Sequence, residues 1–217
     1  MGVIRKIAVI VPVVMVSTIY AASHIQQVQQ EGHRRMAVLV GSLLLFYAWV
    51  FTGIIRRKQD SFFDMLVQAS FYVFLFSVLT LTGYFIFFNE VSAHGWWHRV
   101  VQRVITRDGV NLKAFLFLRP KNIFTYDVVG NFFMLFPLGT YLPLLYRRIK
   151  NIFTVTLTAM LVSLSIELMQ LATNFRISDI NDVILNTTGA AIGFIVYLLV
   201  RKLLVKPLHA APRASTL

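Results

Sequence analysis

Acidic and amide side chains stand inside three of the most apolar stretches of this chain. Within each stretch they are three or four residues apart, the spacing that places side chains on one face of a helix. One arginine precedes the last stretch, and a guanidinium is well suited to bind a phosphate or a carboxylate. The full set comprises Asp127, Asn131, Glu167, Gln170, Arg176, Asp179, Asp182 and Asn186.

These residue types limit the chemistry that the set can perform. Glu167 with Asp179 or Asp182 could act as general acid and base, so Glu167 and Asp182 are the candidate catalytic residues if the protein is an enzyme. Oxygen ligands also suit Mg²⁺ or Ca²⁺, but no further feature supports either ion, and we expect no cofactor. The chain has no cysteine and the set has no serine–histidine pair, which leaves a nucleophilic triad without support.

The composition indicates which elements must hold these residues. Of the 217 residues, 57% are hydrophobic and only 14% are charged, whereas soluble domains are roughly a quarter charged. The excess lies in six apolar blocks, most of which are long enough to cross a bilayer core as helices. We predict an all-α integral membrane protein with spans at residues 7–22, 36–55, 66–88, 126–146, 152–172 and 183–200.

The first apolar block has a second interpretation. Arg5 and Lys6 precede it and Ala21-Ala22-Ser23 follows it, a pattern that also fits a signal peptide. Because five more spans follow, we favour a retained membrane helix.

Basic residues predict the orientation of the spans, because Lys and Arg are in excess on the cytoplasmic side of a membrane. With the N-terminus inside, twelve of the 21 Lys and Arg residues lie in inner segments, and six of the other nine lie in one long loop. We therefore expect both termini in the cytoplasm. The net charge of +12 comes from short clusters between apolar blocks, which argues against nucleic acid as a partner.

The long loop between the third and fourth spans contains the amphipathic segment "WWHRVVQRVITR". Apolar pairs alternate with Arg99, Arg103 and Arg107, which recur every four residues. This pattern predicts a helix that lies in the membrane interface, with its basic face against anionic headgroups. His94 and His98 are also four apart, but no third ligand accompanies them, and we expect no metal site there.

The order of the spans places all eight polar residues at the same end of the last three helices. Ionisable side chains at membrane depth cost about 2.5–3.5 kcal/mol each, so they must face one another or a water-filled cavity. We call this set of eight residues the polar cup. Below it, Gly189 and Gly193 form a GxxxG pair that predicts close helix packing, and Pro137 predicts a kink in the fourth span.

The ordered polar series resembles the VanZ-like family of bacterial membrane proteins over about residues 111–200. The residues that carry the resemblance are Asn131 with FPLG, Glu167-Leu-Met-Gln170, Arg176, Asp179-Ile-Asn-Asp182, Asn186 and Gly189. The family often has Asn-Leu-x-Pro-Phe where this chain reads Asn111-Leu-Lys-Ala-Phe115. The resemblance implies a protein of the bacterial cytoplasmic membrane concerned with the cell envelope, and teicoplanin resistance at a low level in some members. It implies no mechanism.

Three functions are compatible with this pattern. The cup could bind or modify a ligand of the outer leaflet, either a lipid-linked envelope precursor or the lipoglycopeptide itself. The protein could instead be a carboxylate-based lipid hydrolase or transferase. In the third interpretation the cup is a structural network in a membrane protein or partner subunit. Ion transport is less favoured, because no continuous polar path crosses the spans.

The predicted organisation follows the spans. Residues 1–90 form a three-span region, 91–125 an amphipathic extracytoplasmic loop, 126–200 a three-helix core, and 201–217 a basic cytoplasmic tail. Membrane lipids are the expected surroundings and partners, and the sequence does not determine the oligomeric state.

Overall fold

The fold is an all-α membrane bundle, as predicted. The computed structural model describes residues 2–30, 33–56, 61–91, 95–119, 122–146, 148–173 and 176–204, so most of the predicted basic tail lies outside the described residues. Across these ranges, six helical segments are long and apolar enough to cross a membrane. These spans are Val3–Ser23, Arg35–Arg56, Phe62–Leu81, Tyr126–Leu145, Ile152–Leu171 and Ile180–Leu203.

Nine α-helices and two very short strands make up the described ranges. The N-terminal elements are α1 Gly2–Gln30, α2 His33–Arg56, α3 Phe62–Leu81, α4 Tyr84–Val91 and α5 Trp96–Thr106. The C-terminal elements are β1 Val110–Asn111, a 3₁₀ helix Leu116–Leu118, α6 Tyr126–Met134, α7 Phe136–Leu145, α8 Ile152–Leu171, β2 Ser178–Asp179 and α9 Ile180–Leu204.

The third span ends earlier than predicted. The apolar run to residue 88 predicted a single helix, but α3 stops at Leu81 and α4 is a separate helix of eight residues. Gly83 has a φ of +83°, a left-handed conformation that glycine adopts without steric cost and that cannot continue a helix. The chain therefore turns at Gly83, and α4 packs against α2 and α8 at this end of the bundle.

The fourth span is broken rather than smoothly kinked. α6 ends at Met134, Leu135 leaves the helical conformation, and α7 begins at Phe136. Pro137 falls in the first turn of α7, where its missing N–H removes no intrahelical hydrogen bond. The proline thus marks the start of a new helix, whereas the sequence pattern placed it in the middle of one.

The amphipathic loop helix is present as predicted. α5 covers Trp96–Thr106, and none of its side chains is buried. Trp97 is 62% exposed and Ile105 is 70% exposed. Apolar side chains that the described part of the chain leaves largely uncovered fit a helix that lies on a membrane surface.

A two-stranded parallel sheet is the one departure from an all-α fold in the described ranges. Val110 pairs with Ser178, and Asn111 pairs with Asp179. The Ser178 N–H donates to the Gly109 carbonyl oxygen at 2.9 Å. This small sheet joins the long loop to the start of α9, so a segment far away in sequence helps to form the polar end of the bundle.

α9 lies at the centre of the C-terminal helices and packs against α6, α7 and α8. Gly139, Gly189 and Gly193 occupy the contacts where helix backbones approach most closely, as the GxxxG pair predicted. In the N-terminal half, α1 packs against α2 and α3, and Val9 and Val13 are fully buried in the core. The first span therefore packs as part of the bundle.

Candidate functional site

A cavity of about 1060 Å³ lies at the end of the bundle where α3 and α8 end and α6 and α9 begin. Seven of the eight polar-cup residues line it: Asp127, Asn131, Glu167, Gln170, Arg176, Asp179 and Asp182. We call it the cup cavity. These residues are up to 55 positions apart in the chain. Helix periodicity and span order predicted that they would lie together.

Glu167 lies on the deep wall of the cup cavity. It is in the last turns of α8, and its side chain is only 3% exposed. Its Oε2 accepts a hydrogen bond from the backbone N–H of Asp179 at 2.8 Å. This bond joins the end of α8 to the start of α9. A carboxylate here is held in place by the backbone and still faces the cavity.

Asp179 has a largely structural environment. Its Oδ2 accepts from Asn111 Nδ2 at 2.8 Å, and its Oδ1 accepts from both the backbone N–H and the Nδ2 of Asn181. The bond to the Asn181 N–H satisfies one of the unpaired donors at the start of α9, as a helix N-cap does. Three donors therefore position this side chain. Its oxygens are already occupied by these hydrogen bonds, so its main contribution to the cavity is its charge.

Asp182 faces the cavity from the first turn of α9. Asn131 on α6 is its side-chain hydrogen-bond partner, and Asp127, Asp179 and Arg176 are its charged neighbours. Asp127 lies on the exposed side of the cavity, one helical turn before Asn131. This cluster places three carboxylates and one guanidinium together, so a bound ligand with hydroxyl or amine donors would find several acceptors.

Arg176 forms the outer wall. Its Nη2 donates to the Leu81 carbonyl oxygen, the last of α3, at 3.3 Å. The side chain is exposed, and in the part of the chain that the structure describes it donates to no carboxylate. The guanidinium thus influences Asp182 through its charge and keeps donors for an anionic group of a ligand.

Asn186 does not line the cup cavity, whereas the sequence pattern placed it with the other seven polar residues. It lies one turn deeper in α9 and is 0% exposed. Its Nδ2 donates to Ser163 Oγ on α8 at 2.9 Å, while its Oδ1 has no hydrogen-bond partner among the described residues. Helix periodicity correctly put it on the same face as Asp182, but α8 closes over that face below the cavity.

Three residues that hold the cavity together were not among the predicted site residues. Asn111 lines the cavity and donates to Asp179. The side chain of Asn181 makes two hydrogen bonds to the loop. Its Oδ1 accepts from the Leu116 N–H, and its Nδ2 donates to the Lys113 carbonyl oxygen. The one sequence feature that pointed to this loop was its departure from the family pattern at Asn111–Phe115.

Arg103 is the third residue that was not predicted as part of the site. It was predicted to face lipid headgroups, but it also binds the protein backbone. Its guanidinium donates to the carbonyl oxygens of Leu171, Thr173 and Arg176. Two of these carbonyls lie at or just beyond the C-terminal end of α8, where helix carbonyls lack intrahelical partners. α5 therefore anchors the α8–α9 connection that carries Arg176.

The rim of the cup cavity is apolar. Leu81 and Phe133 line it, lie within spans, and are exposed. Tyr126 at the mouth is 98% exposed, and Ile177 is exposed as well. Exposed apolar side chains within a span face lipid, so the cavity has a polar floor and a lipid-facing border. This combination fits a ligand that is itself amphipathic.

Acidic side chains of the cup would bind a metal ion only if several of them converged on one point. Among the described residues, no group of three or more His, Cys, Asp or Glu side chains could hold a metal ion. His94 lies outside the described residues, and His98 is on the exposed surface of α5.

Comparison with known proteins agrees with the polar series. The sequence model of the family described as VanZ/LLP1 matches residues 71–201. The match begins within α3, and so it also covers α4 and α5, which lie N-terminal to residues 111–200. No curated protein and no solved structure matches the chain.

Proposed function

This chain belongs to the VanZ/LLP1 family, and we propose that its cup cavity binds the polar headgroup of an envelope lipid or of a lipoglycopeptide. The protein would act in the bacterial cytoplasmic membrane with both termini inside and the cavity at the outer face. Binding there contributes to low-level resistance to glycopeptides such as teicoplanin.

One observation carries the proposal. Polar side chains from α6, α8 and α9 line a single cavity whose border consists of lipid-facing apolar side chains. Polar groups at this depth are costly unless they have partners. A ligand with a polar head and an apolar body would satisfy the cup and leave its body in lipid.

The residues suggest how such a head would be held. Arg176 binds an anionic group, since its guanidinium presents donors in a planar fork. Glu167 and Asp182 accept hydrogen bonds from hydroxyl or amine groups, and Asn131 and Gln170 can both donate and accept. Asp127 and Asp179 add negative charge at the mouth, which favours a ligand that also carries donors or a positive group.

The proposed orientation can be tested because the chain has no cysteine. Arg119 lies in the long loop and Arg148 between α7 and α8, and both are exposed. With a membrane-impermeant maleimide, we expect Arg119→Cys to be labelled in intact cells. Arg148→Cys should be labelled only after the membrane is opened. The reverse pattern would place the cavity at the cytoplasmic face.

The cup itself is tested by Glu167→Gln. Glutamine keeps the oxygen that accepts from the Asp179 N–H but removes the charge, so we expect the fold to persist. We expect the increase in teicoplanin resistance given by the wild-type protein to be lost in full. The measurement is the inhibitory concentration of a bacterium that expresses each variant, with membrane levels compared by immunoblot.

Asp64→Asn is the matched control. Asp64 lies in the capping box at the opposite end of α3 and also accepts hydrogen bonds that an amide oxygen can retain. This variant should keep the resistance. Equal resistance in wild type and Glu167→Gln at equal membrane levels would contradict the proposal, as would a wild-type protein that gives no resistance.

A carboxylate-based enzyme is the second candidate, because Glu167 and Asp182 face the same cavity and are charged neighbours. One could act as base while the other stays protonated. The same strains separate the two functions. An enzyme changes the lipid profile of cells that express the wild type but not Glu167→Gln, whereas a binding protein leaves both profiles alike.

A further inference from the structure

A second, smaller cavity lies beside the cup cavity, and its character is basic. Its volume is about 410 Å³, within the usual range of small-molecule sites, roughly 300–1,000 Å³. Arg176 and Ile177 belong to both cavities. The other lining residues are Arg99, Gln102, Arg103, Asp108 and Gly109. We call it the arginine pocket.

The arginine pocket is built from α5 and the segments that α5 anchors. The Arg103 guanidinium donates to backbone carbonyls of the α8–α9 connection and to the Asp108 carbonyl oxygen. Gly109 has a φ of +75°, and a Cβ at that position would overlap the Arg103 guanidinium. The Arg103 charge is thus held in a fixed place, and the loop is shaped to let the side chain pass.

Its charge is opposite to that of the cup. Among the residues that the structure describes, three guanidinium groups and one carboxylate, Asp108, line the arginine pocket. Among the described residues, the neighbouring cup cavity is lined by four carboxylates, and Arg176 is its one guanidinium. An anionic group near this end of the bundle is therefore attracted to the arginine pocket and repelled from the floor of the cup.

The position of α5 indicates the level of the bilayer at which the arginine pocket lies. Trp97 and Ile105 on this helix are largely exposed, and no side chain of α5 is buried. An amphipathic helix of this kind lies at the boundary of headgroups and acyl chains. Arg99 and Arg103 are on the same helix, so the pocket lies at the level of lipid phosphates.

From these observations we propose that the arginine pocket binds the phosphate of an anionic phospholipid. Arg99 and Arg176 contact the phosphate oxygens, because guanidinium groups bind phosphate in a bidentate way. Arg103 is a positioning residue that adds charge while its donors serve the backbone. The two sites share Arg176, but Glu167 and Asp182 line only the cup cavity and Arg99 lines only the arginine pocket. Substitution of Glu167 therefore tests the cup, and substitution of Arg99 tests the arginine pocket.

The test is binding of phosphatidylglycerol to the full chain in detergent, measured by native mass spectrometry. Diacylglycerol with the same acyl chains is the phosphate-free comparison. We expect Arg99→Gln to weaken phosphatidylglycerol binding about tenfold, as the loss of a charged hydrogen bond predicts. Arg99→Lys should recover part of the affinity. Arg107→Gln removes the same charge from the end of α5, outside the pocket, and should bind as the wild type does.

Gln102→Glu provides a second test at an exposed lining position. It adds a negative charge beside the phosphate, and we expect a loss of similar size even if Arg99→Gln does not fold. Equal phosphatidylglycerol affinity in wild type and Gln102→Glu, or equal binding of diacylglycerol, would overturn the proposal. Inorganic phosphate that binds as well as the lipid and depends on Arg99 would support the phosphate site and assign its source to solution.

Discussion

Gly139→Ala should lower the free energy of unfolding by about 3 kcal/mol, the upper part of the usual range for overpacked cores. A Cβ at this position would overlap the Ala190 carbonyl oxygen and the Phe194 backbone nitrogen on α9. These are backbone atoms, which cannot turn aside as a flexible side chain can. α7 and α9 would have to separate, and the packing of both helices would loosen.

This separation would also affect the cup. Gly189 faces the Phe132 carbonyl oxygen and Gly193 faces the Phe136 carbonyl oxygen, so α9 is pressed against α6 and α7 along three glycines. Asp182 lies on α9 and Asn131 on α6. We therefore expect Gly139→Ala to reduce teicoplanin resistance, if the proposed function holds, through the spacing of these helices.

Gly41→Ala is the matched control, because a Cβ at that position in α2 meets no atom of the described residues within 4 Å, apart from its chain neighbours and the helix's own backbone. Alanine there should be neutral or stabilise the helix by up to about 1 kcal/mol. The measurement is the unfolding of both variants and the wild type in one detergent, followed by size-exclusion recovery after heating. If the two alanine variants were equally stable, the helices would not be in the close contact described.

Arg103→Gln should destabilise the protein by about 2 kcal/mol and loosen the α8–α9 connection. The guanidinium donates to Leu171, Thr173 and Arg176 carbonyl oxygens, and a hydrogen bond from a charged donor contributes about 1.5–3 kcal/mol. We choose the lower part of that range because the side chain is only half-buried. The carbonyls at the end of α8 would be left without their donor.

Backbone hydrogen exchange measures this effect locally. The Ser178 N–H donates to the Gly109 carbonyl oxygen, and the Asp179 N–H donates to Glu167. We expect both amides to exchange faster in Arg103→Gln and at the wild-type rate in Arg107→Gln. Arg103→Lys should recover little, because one ammonium cannot reach three carbonyls as a planar guanidinium does. Unchanged exchange at both amides would mean that Arg103 does not hold the connection.

The membrane class and the spans followed from the sequence because the apolar blocks are long and nearly free of charge. α5 was predicted with almost the bounds found, since its basic and apolar residues repeat with helix periodicity. The end of the third span and the break within the fourth could not be predicted from hydropathy. Gly83 and Leu135 interrupt apolar runs whose hydropathy does not change at the break, and only the backbone conformation shows it.

The sequence alone identified the candidate site residues, because acids and amides inside apolar helices are costly unless they have partners. Spacing put each pair on one face, and span order put the faces at one end. Only the tertiary structure decided which of them meet a cavity. Seven line it, whereas Asn186 is covered by α8 and bonds to Ser163.

The loop that completes the site could not be assembled from periodicity. Asn111 and Asp179 are 68 positions apart, and they meet because two strands of two residues pair in parallel. Arg103 looked like one of three equivalent basic residues on a helix facing headgroups. Its different role arises from where the end of α8 lies in space, and contacts so distant along the chain leave no local pattern in the sequence.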